Sequence, residues 1–164
     1  MPRSHAPRVT TMIFSRTTQY TAQALIYIVA QPADRPILNQ TIAETLGVPP
    51  AYLAKVLQQL LRSGLVESVR GAGGGYQLAR AATAITMADV VRSIEGPLSD
   101  DGCADCPFRA ELEACSVRAT CNVHGLLSEL TSHVYYTLES VTIATLARTK
   151  SGDRIRLRTR KESA

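Results

Sequence analysis

The chain has 164 residues, of which 45% are hydrophobic and 20% are charged. This length and composition suit one compact domain, or two small ones that share a core, and exclude a disordered or collagen-like chain. No apolar run approaches the roughly 18 residues that span a bilayer, and a chain with no tryptophan and only two phenylalanines must build its interior from the aliphatic residues typical of helix-rich domains.

The formal net charge of +4 is unevenly distributed along the chain. Residues 1–11 carry +2, residues 12–85 carry +3 and residues 148–164 carry +5, whereas residues 86–147 carry −6. A basic surface can face a phosphate backbone and an acidic one cannot. A nucleic-acid surface is therefore expected before residue 86 or in the basic tail, which is otherwise a solvated end.

The first predicted helix begins near Ser15. Residues 1–11 have no hydrophobic periodicity, so we expect a disordered N-terminal extension. Ser15 is a suitable N-cap, and Pro32 ends the helical pattern. The apolar residues that recur at three- and four-residue spacing in this helix are Ala22, Leu25, Ile26 and Val29.

Two short helices around a glycine-centred turn are predicted next. The first is capped by Asn39 or Thr41, runs through Leu46 and is ended by Gly47, and the second starts near Pro49-Pro50 and runs to Ser63-Gly64. The second helix has an apolar face made of Leu53, Val56, Leu57 and Leu60. Its largely outward polar set, which suits phosphates and bases, is Tyr52, Lys55, Gln58, Gln59 and Arg62.

A β-hairpin with a glycine-rich turn follows these helices. A strand around Val66, the run RGAGGG at 70–75 and a returning strand at 76–78 predict it. Helix, turn, helix and hairpin together form a winged helix. Its bare turn lets backbone amides approach a phosphate, or enter a minor groove behind Arg70, unless it is only a tight hairpin. Tyr76 stands where a dinucleotide-binding loop needs glycine, which excludes that alternative.

Two further helices are predicted on either side of an acidic segment. Thr86 caps the first, which runs through Ile94 and ends at the Gly-Pro pair 96–97. The second is long, from Asn122 to Ala147. It could cover the winged helix, but its near-heptad apolar run favours pairing with the same helix of a second subunit. That run is Leu127, Leu130, Val134 and Val141.

Four cysteines lie within 19 residues, at Cys103, Cys106, Cys115 and Cys121. Since the N-terminus does not resemble a secretory leader, we expect a reducing cytoplasm, where clustered thiols bind metal more often than they form a disulfide framework. Zinc and an iron-sulfur cluster both suit such ligands. His124, at the start of the long helix, is a fifth candidate for four positions.

These segments resemble the Rrf2-type winged helix-turn-helix transcription regulators, which include iron-sulfur regulators of the IscR, NsrR and RirA kind. The resemblance covers residues 12 to about 147. Its most specific parts are PAYLAKVL at 50–57, VRGAGGGYQLAR at 69–80 and the spacing of Cys115, Cys121 and His124. The resemblance implies a homodimer that crosses through its long helices, recognition helices in major grooves, wings in the minor groove, and a cluster whose state alters DNA affinity.

Residue by residue, the resemblance implies DNA contacts at Arg16, Pro50, Tyr52, Lys55, Gln59, Arg70, Gly73 and Tyr76. It also makes Cys106, Cys115 and Cys121 the cluster thiolates, with Cys103 or His124 as a further ligand. Several relatives complete the cluster with a carboxylate on the first helix of the other subunit. This chain has Gln19 there, which is a poor ligand, so a 2Fe-2S and a 4Fe-4S cluster both stay open.

We therefore expect a mostly α fold with a small β-hairpin wing, in four parts. These are a disordered extension (1–11), a winged-helix DNA-binding domain (12–85), a cysteine-rich sensor loop with a dimerisation helix (86–148) and a flexible basic tail (149–164). The expected function is a cytoplasmic repressor, nucleoid-associated when bound to a near-palindromic operator, with a cluster that senses nitric oxide, redox state or iron. The alternatives are a DNA-binding protein with structural zinc and a redox enzyme, and the second has little support.

Overall fold

The computed structural model describes residues 14–32, 35–71, 73–97 and 122–149, and for 122–124 and 127 the backbone alone. The described chain is mostly helical with a two-stranded antiparallel sheet, which confirms the predicted fold class. In chain order the elements are α1 (Arg16–Val29), α2 (Asn39–Leu46), α3 (Pro50–Arg62), β1 (Val66–Val69), β2 (Gly75–Leu78), a 3-10 turn (Ala82–Ala84), α4 (Met87–Glu95), α5 (Asn122–Ser140) and α6 (Ile143–Arg148). None of the described helices is long and apolar enough to span a membrane.

Most helix ends follow the signals in the sequence, but the predicted cap of α2 at Asn39 or Thr41 is wrong, because α2 begins at Asn39 after Leu38, which has no capping side chain. Ser15 caps α1, and its side chain accepts a hydrogen bond from the backbone N–H of Thr18. Gly47 ends α2 in the left-handed conformation, at φ 64°. Thr86 and Asp89 form a reciprocal capping box at the start of α4. These local devices fix the lengths of the helices around the core.

The hairpin is extended by a third segment that the sequence did not predict. β1 and β2 pair antiparallel with Val66 opposite Leu78, and Ile37 exchanges two backbone hydrogen bonds of 2.9 Å with Tyr76. The approach at Gly75 is so close that an added Cβ would lie 2.5 Å from the backbone of Ile37. The hairpin is therefore attached, at the part of β2 nearest its turn, to the segment that precedes α2.

The core is aliphatic, as the composition predicts. It lies among α1, α2 and α3 and extends to β1, α4 and α6. Its largest fully buried side chains include Leu25, Ile42, Leu53, Leu57, Leu60, Leu65, Ile85 and Ile143.

The long helix predicted from 122 to 147 is interrupted, so that prediction is wrong at its C-terminal end. Thr142 leaves the helical conformation, pairs with Thr86 in an isolated β-bridge and caps α6. The amide of Ile143 donates to the carbonyl of Ile85 at 2.9 Å. The interruption occurs because backbone groups here pair with the chain that leads into α4. Val141 of the near-heptad run is buried within this chain, not available to a partner.

Candidate nucleic-acid interface

Helix α3 presents a polar face, as its periodicity predicts. Its four apolar residues are buried in the core, whereas Lys55, Gln58 and Arg62 are exposed and Gln59 is half-buried. Pro50, at the first helical position, is exposed as well. The predicted site residues Lys55 and Gln59 therefore lie on a helix that is fixed from behind by well-packed leucines.

Tyr52 is the exception to the predicted outward set. It is half-buried, and its hydroxyl donates a hydrogen bond of 3.0 Å to Oγ1 of Thr17. Its ring also meets Tyr20 edge to face, with centroids 6.1 Å apart. The outward prediction holds in part, because Tyr52 lines an open groove beside α3, but its contacts with α1 also fix α3 to α1.

An open groove of about 500 Å³ separates the polar face of α3 from the start of α1 and the end of α4. Lys55 and Arg62 line one side of it, and Ser15, Thr17 and Glu95 line the other. The groove thus joins the start of α1, where Arg16 is exposed, to the polar residues of α3. Three of the predicted site residues line the groove, namely Tyr52, Lys55 and Gln59, and Arg16 is next to it in the chain.

The hairpin turn carries another part of the predicted site. Arg70 and Gly73 are exposed, and Gly73 has a φ of 85°, where an added Cβ would meet nothing within 4 Å. Gly74 is buried, and its amide donates to the carbonyl of Gly71 at 2.9 Å. Arg70 and Gly73 are therefore open to a large ligand, whereas Gly74 closes the turn.

Tyr76 lies in β2 opposite Ser68, one pair away from the end of the hairpin that carries the turn. It is half-buried, packs against the core and exchanges backbone hydrogen bonds with Ile37. This arrangement gives Tyr76 a supporting role in the hairpin. The geometry therefore favours Tyr76 less than Arg70 or Gly73 as a DNA contact.

A carboxylate that sequence reasoning missed lies at the start of α1. Oε1 of Glu95 accepts hydrogen bonds from the amide of Ser15 at 2.9 Å and from Oγ1 of Thr18 at 2.5 Å. The hydrogen bond from Thr18, and then those from Ser15, hold the pKa of Glu95 below its ordinary value. No local pattern reveals this contact, because the partners are 80 and 77 positions apart.

The predicted metal ligands Cys103, Cys106, Cys115 and Cys121 lie outside the described residues, and only the backbone of His124 is described, within α5. In the part of the chain that the structure describes, no group of three or more histidine, cysteine or carboxylate side chains is placed to hold a metal. Four thiols nevertheless form a donor set that suits iron-sulfur clusters and zinc alike.

The first half of α5 carries exposed apolar side chains. Leu126 and Leu130 are 58% and 52% exposed, whereas Leu138 is buried against Ala88 and Val91 of α4. The second half of α5 is therefore part of the chain's own packing, and its first half presents leucines to the outside.

The chain is similar to known transcription regulators over most of its length. The model of the Rrf2 family, described as an iron-dependent transcriptional regulator, matches residues 14–149. CymR of B. subtilis, the global cysteine regulator, is 29% identical with a TM-score of 0.65 over 82% of this chain and 95% of that one. IscR of T. potens is 27% identical, with a TM-score of 0.64 over 87% and 92%. CymR of Staphylococcus aureus is 27% identical, with a TM-score of 0.62 over 83% and 98%. The resemblance read from the sequence is confirmed, and the chain belongs to the Rrf2 family, whose members are DNA-binding transcription regulators and not enzymes.

Proposed function

We propose that this regulator is a homodimeric repressor that reads an operator through α3 and the hairpin turn and receives its signal through an iron-sulfur cluster. The observation that carries the proposal is an exposed polar and basic face on a rigid helix, in a chain that also holds four closely spaced thiols. DNA affinity requires the first feature, and a metal-based signal requires the second.

The described residues divide the work of DNA binding. Lys55 and Gln59 of α3 are the base and phosphate contacts, and Arg16 contacts the backbone beside them. Arg70 enters the minor groove with the exposed backbone of Gly73 against a phosphate. Pro50, Tyr52 and Tyr76 complete the set, with Tyr52 holding α3 against α1.

Residues 12–85 form the DNA-binding part and residues 86–148 the sensing and dimerising part, between the extension 1–11 and the basic tail 149–164. The two central parts are functional divisions of one packed unit, because Ile143 of α6 is buried in the same core as α1 and α3. A change in the second part therefore has a packed route to the first.

The exposed leucines of α5 support a homodimer. Leucines that are more than half exposed leave apolar area in water, and burying them between two copies of α5 removes that cost. A dimer also presents two copies of α3, which a near-palindromic operator with two half-sites requires.

Cys106, Cys115 and Cys121 are proposed to hold the cluster, with Cys103 or His124 as the further ligand. A bound cluster supplies iron that oxidants, nitric oxide or iron depletion can alter, and the thiolates supply the charge that retains it. The structural neighbours include both the global cysteine regulator CymR and IscR. The chemical nature of the signal is therefore a matter for the experiment below.

The test begins with anaerobic purification, a visible absorption spectrum, and analysis for iron, sulfide and zinc. Iron and sulfide in equal amounts in a coloured protein support the cluster, and the spectrum separates 2Fe-2S from 4Fe-4S. A colourless protein with one zinc per chain instead supports a DNA-binding regulator with a structural metal, since four thiols suit zinc as well.

The DNA-binding part is tested separately with operator DNA selected from random sequence. Arg70→Ala should weaken operator binding by about 1–3 kcal/mol, the usual value for a groove contact. Arg80→Ala is the matched control, because it removes the same charge from an arginine that is paired with Asp89 and lies outside the turn. Equal effects of the two variants would remove Arg70 from the interface, and equal affinity of the protein for operator and random DNA would reject the repressor.

A further inference from the structure

The N-terminus of α1 is capped twice, once locally and once by a distant element. Ser15 caps the helix from within, and its Oγ lies 3.2 Å from the amide of Thr18. Glu95, the last residue of α4, adds a carboxylate that accepts from the amide of Ser15 and from the hydroxyl of Thr18. A negative charge at the positive end of a 14-residue helix is stabilised by the free N–H groups and the helix dipole.

The same turn of α1 holds the recognition helix. Thr17, adjacent to Thr18, accepts the hydrogen bond from the hydroxyl of Tyr52, and Tyr20 packs edge to face on the Tyr52 ring. Neighbouring residues of α1 therefore bind the end of α4 on one side and α3 on the other. A shift of Glu95 would therefore reach Tyr52 through the one helical turn of α1 that contains Thr17 and Thr18.

The charge of Glu95 also bears on the groove. Glu95 lines the groove opposite Lys55 and Arg62, which are proposed to lie near DNA phosphates. Held by Ser15 and Thr18, the carboxylate is partly compensated by the start of α1. Released, it would place an uncompensated negative charge beside the basic side chains of α3, where phosphate must approach.

We propose that Glu95, through Ser15 and Thr18, is a positioning residue for DNA recognition and carries the signal of the cysteine segment to α3. We call this contact the Glu95 cap. The inference rests on the proposed function, because it presumes operator binding. Its position supports the link: α4 ends at Glu95, Gly96 follows with a φ of 88°, and the chain then continues towards the cysteines.

The sign of one mutational effect tests the Glu95 cap. Removing an acid from a groove that faces phosphate should strengthen DNA binding if only charge matters. If the Glu95 cap positions α3, Glu95→Ala should instead weaken operator binding by roughly five- to tenfold, the effect expected for the loss of a helix cap. Affinity for random DNA should be unchanged or slightly higher.

Three further variants complete the design. Glu139→Ala removes an exposed acid of α5 that accepts from Tyr135 and pairs with Arg92 of α4, so it controls for the loss of one charge and one tertiary contact away from α1. Glu95→Gln keeps an Oε1 acceptor for Ser15 and Thr18, so it should restore most of the operator affinity that alanine loses. Thr18→Val removes the other side of the contact, and its effect should not add to that of Glu95→Ala.

The structural readout is hydrogen exchange at the amides of residues 15–19, compared in the metal-loaded and metal-free protein. Glu95→Ala should speed exchange there and reduce the ratio of operator affinities between the two forms towards one. Glu95→Ala and Glu139→Ala with the same operator affinity and the same response to metal removal would overturn the inference, while the proposed function would stand. A wild-type protein that does not prefer operator over random DNA would reject the proposed function itself. If Glu95→Ala fails to fold, Glu95→Gln and Thr18→Val decide by the same measurements.

Discussion

Helices α3 and α5 are both amphipathic, but their apolar faces are buried to different extents. In α3 the four apolar-face residues are buried within the chain, and the opposite face is polar. In α5 only the C-terminal half is covered, through Leu138, whereas Leu126 and Leu130 are more than half exposed. The difference indicates that the apolar face of α3 is covered by the chain's own core, to which α4 and α6 contribute, and that the first half of α5 is open to the proposed second copy.

The largest expected effect is on the core beneath α3. Leu57 is fully buried, so Leu57→Ala should lower the free energy of unfolding by about 2–5 kcal/mol through lost burial and a cavity. Urea denaturation at several protein concentrations measures it. The loss should be the same at every concentration, because the core belongs to a single chain. The matched variant Leu126→Ala should show a loss that depends on concentration if, as proposed, α5 packs against a second copy.

The next prediction concerns the exposed leucines in the first half of α5. Leu126→Asp combined with Leu130→Asp should dissociate the dimer, raising its dissociation constant by about a hundredfold or more if both leucines are buried between subunits. Analytical ultracentrifugation measures the change. Leu38→Asp is the control, because Leu38 is 57% exposed but lies outside α5. A double variant that sediments like the wild type would show that another surface forms the dimer.

Some of the fold could be predicted from the sequence, because several helix ends depend on local signals. The end of α2 and the starts of α3 and α4 depend on local signals, namely Gly47, Pro50 and the Thr86 cap, and these were predicted correctly. The end of α5 was not, because Thr142 leaves the helix to pair with Thr86, a residue far away in the sequence. Apolar periodicity alone continues through such an interruption.

In the candidate site, too, some residues could be placed from the sequence and others could not. Lys55 and Arg62 face outward as the helical period requires, whereas Tyr52 turns towards Thr17 and Tyr20 because a tertiary hydrogen bond and ring contact are available. The carboxylate of Glu95 could not be placed from the sequence at all, since its partners are in another helix. Local chemistry therefore predicts which residues face outward, and tertiary contacts decide which of them are held in place.

An intermediate effect is expected in the hairpin, where β2 is held against Ile37. Gly75→Ala should destabilise the protein more than Gly73→Ala, because the new Cβ at 75 would meet the backbone of Ile37 at 2.5 Å. At Gly73 the space is open, and the cost is the strain of a positive φ, about 1–2 kcal/mol. Thermal unfolding followed by circular dichroism ranks the two variants. Equal destabilisation would mean that Ile37 moves away at little cost.

The smallest expected effect is a pH dependence at the Glu95 cap, where the winged-helix part leads into the cysteine segment. Hydrogen bonds from Thr18 and Ser15 lower the pKa of Glu95 in the folded protein below its ordinary value of 4.5. The folded state therefore holds this proton less tightly than the unfolded state, and stability rises with pH across the interval between the two pKa values. The contribution should be fully present above the ordinary value and should disappear as the pH falls through the folded pKa.

Glu95→Gln isolates this contribution, because the amide keeps an acceptor oxygen but does not titrate. The difference in unfolding midpoint between wild type and variant should be constant above about pH 5.5 and should shrink below about pH 4.5. The charged groups that face Glu95 across the groove are Lys55 and Arg62. A difference that stays constant down to pH 3 would show that the Glu95 charge adds nothing to folding, and the contact between α4 and α1 would then depend on acceptor geometry alone.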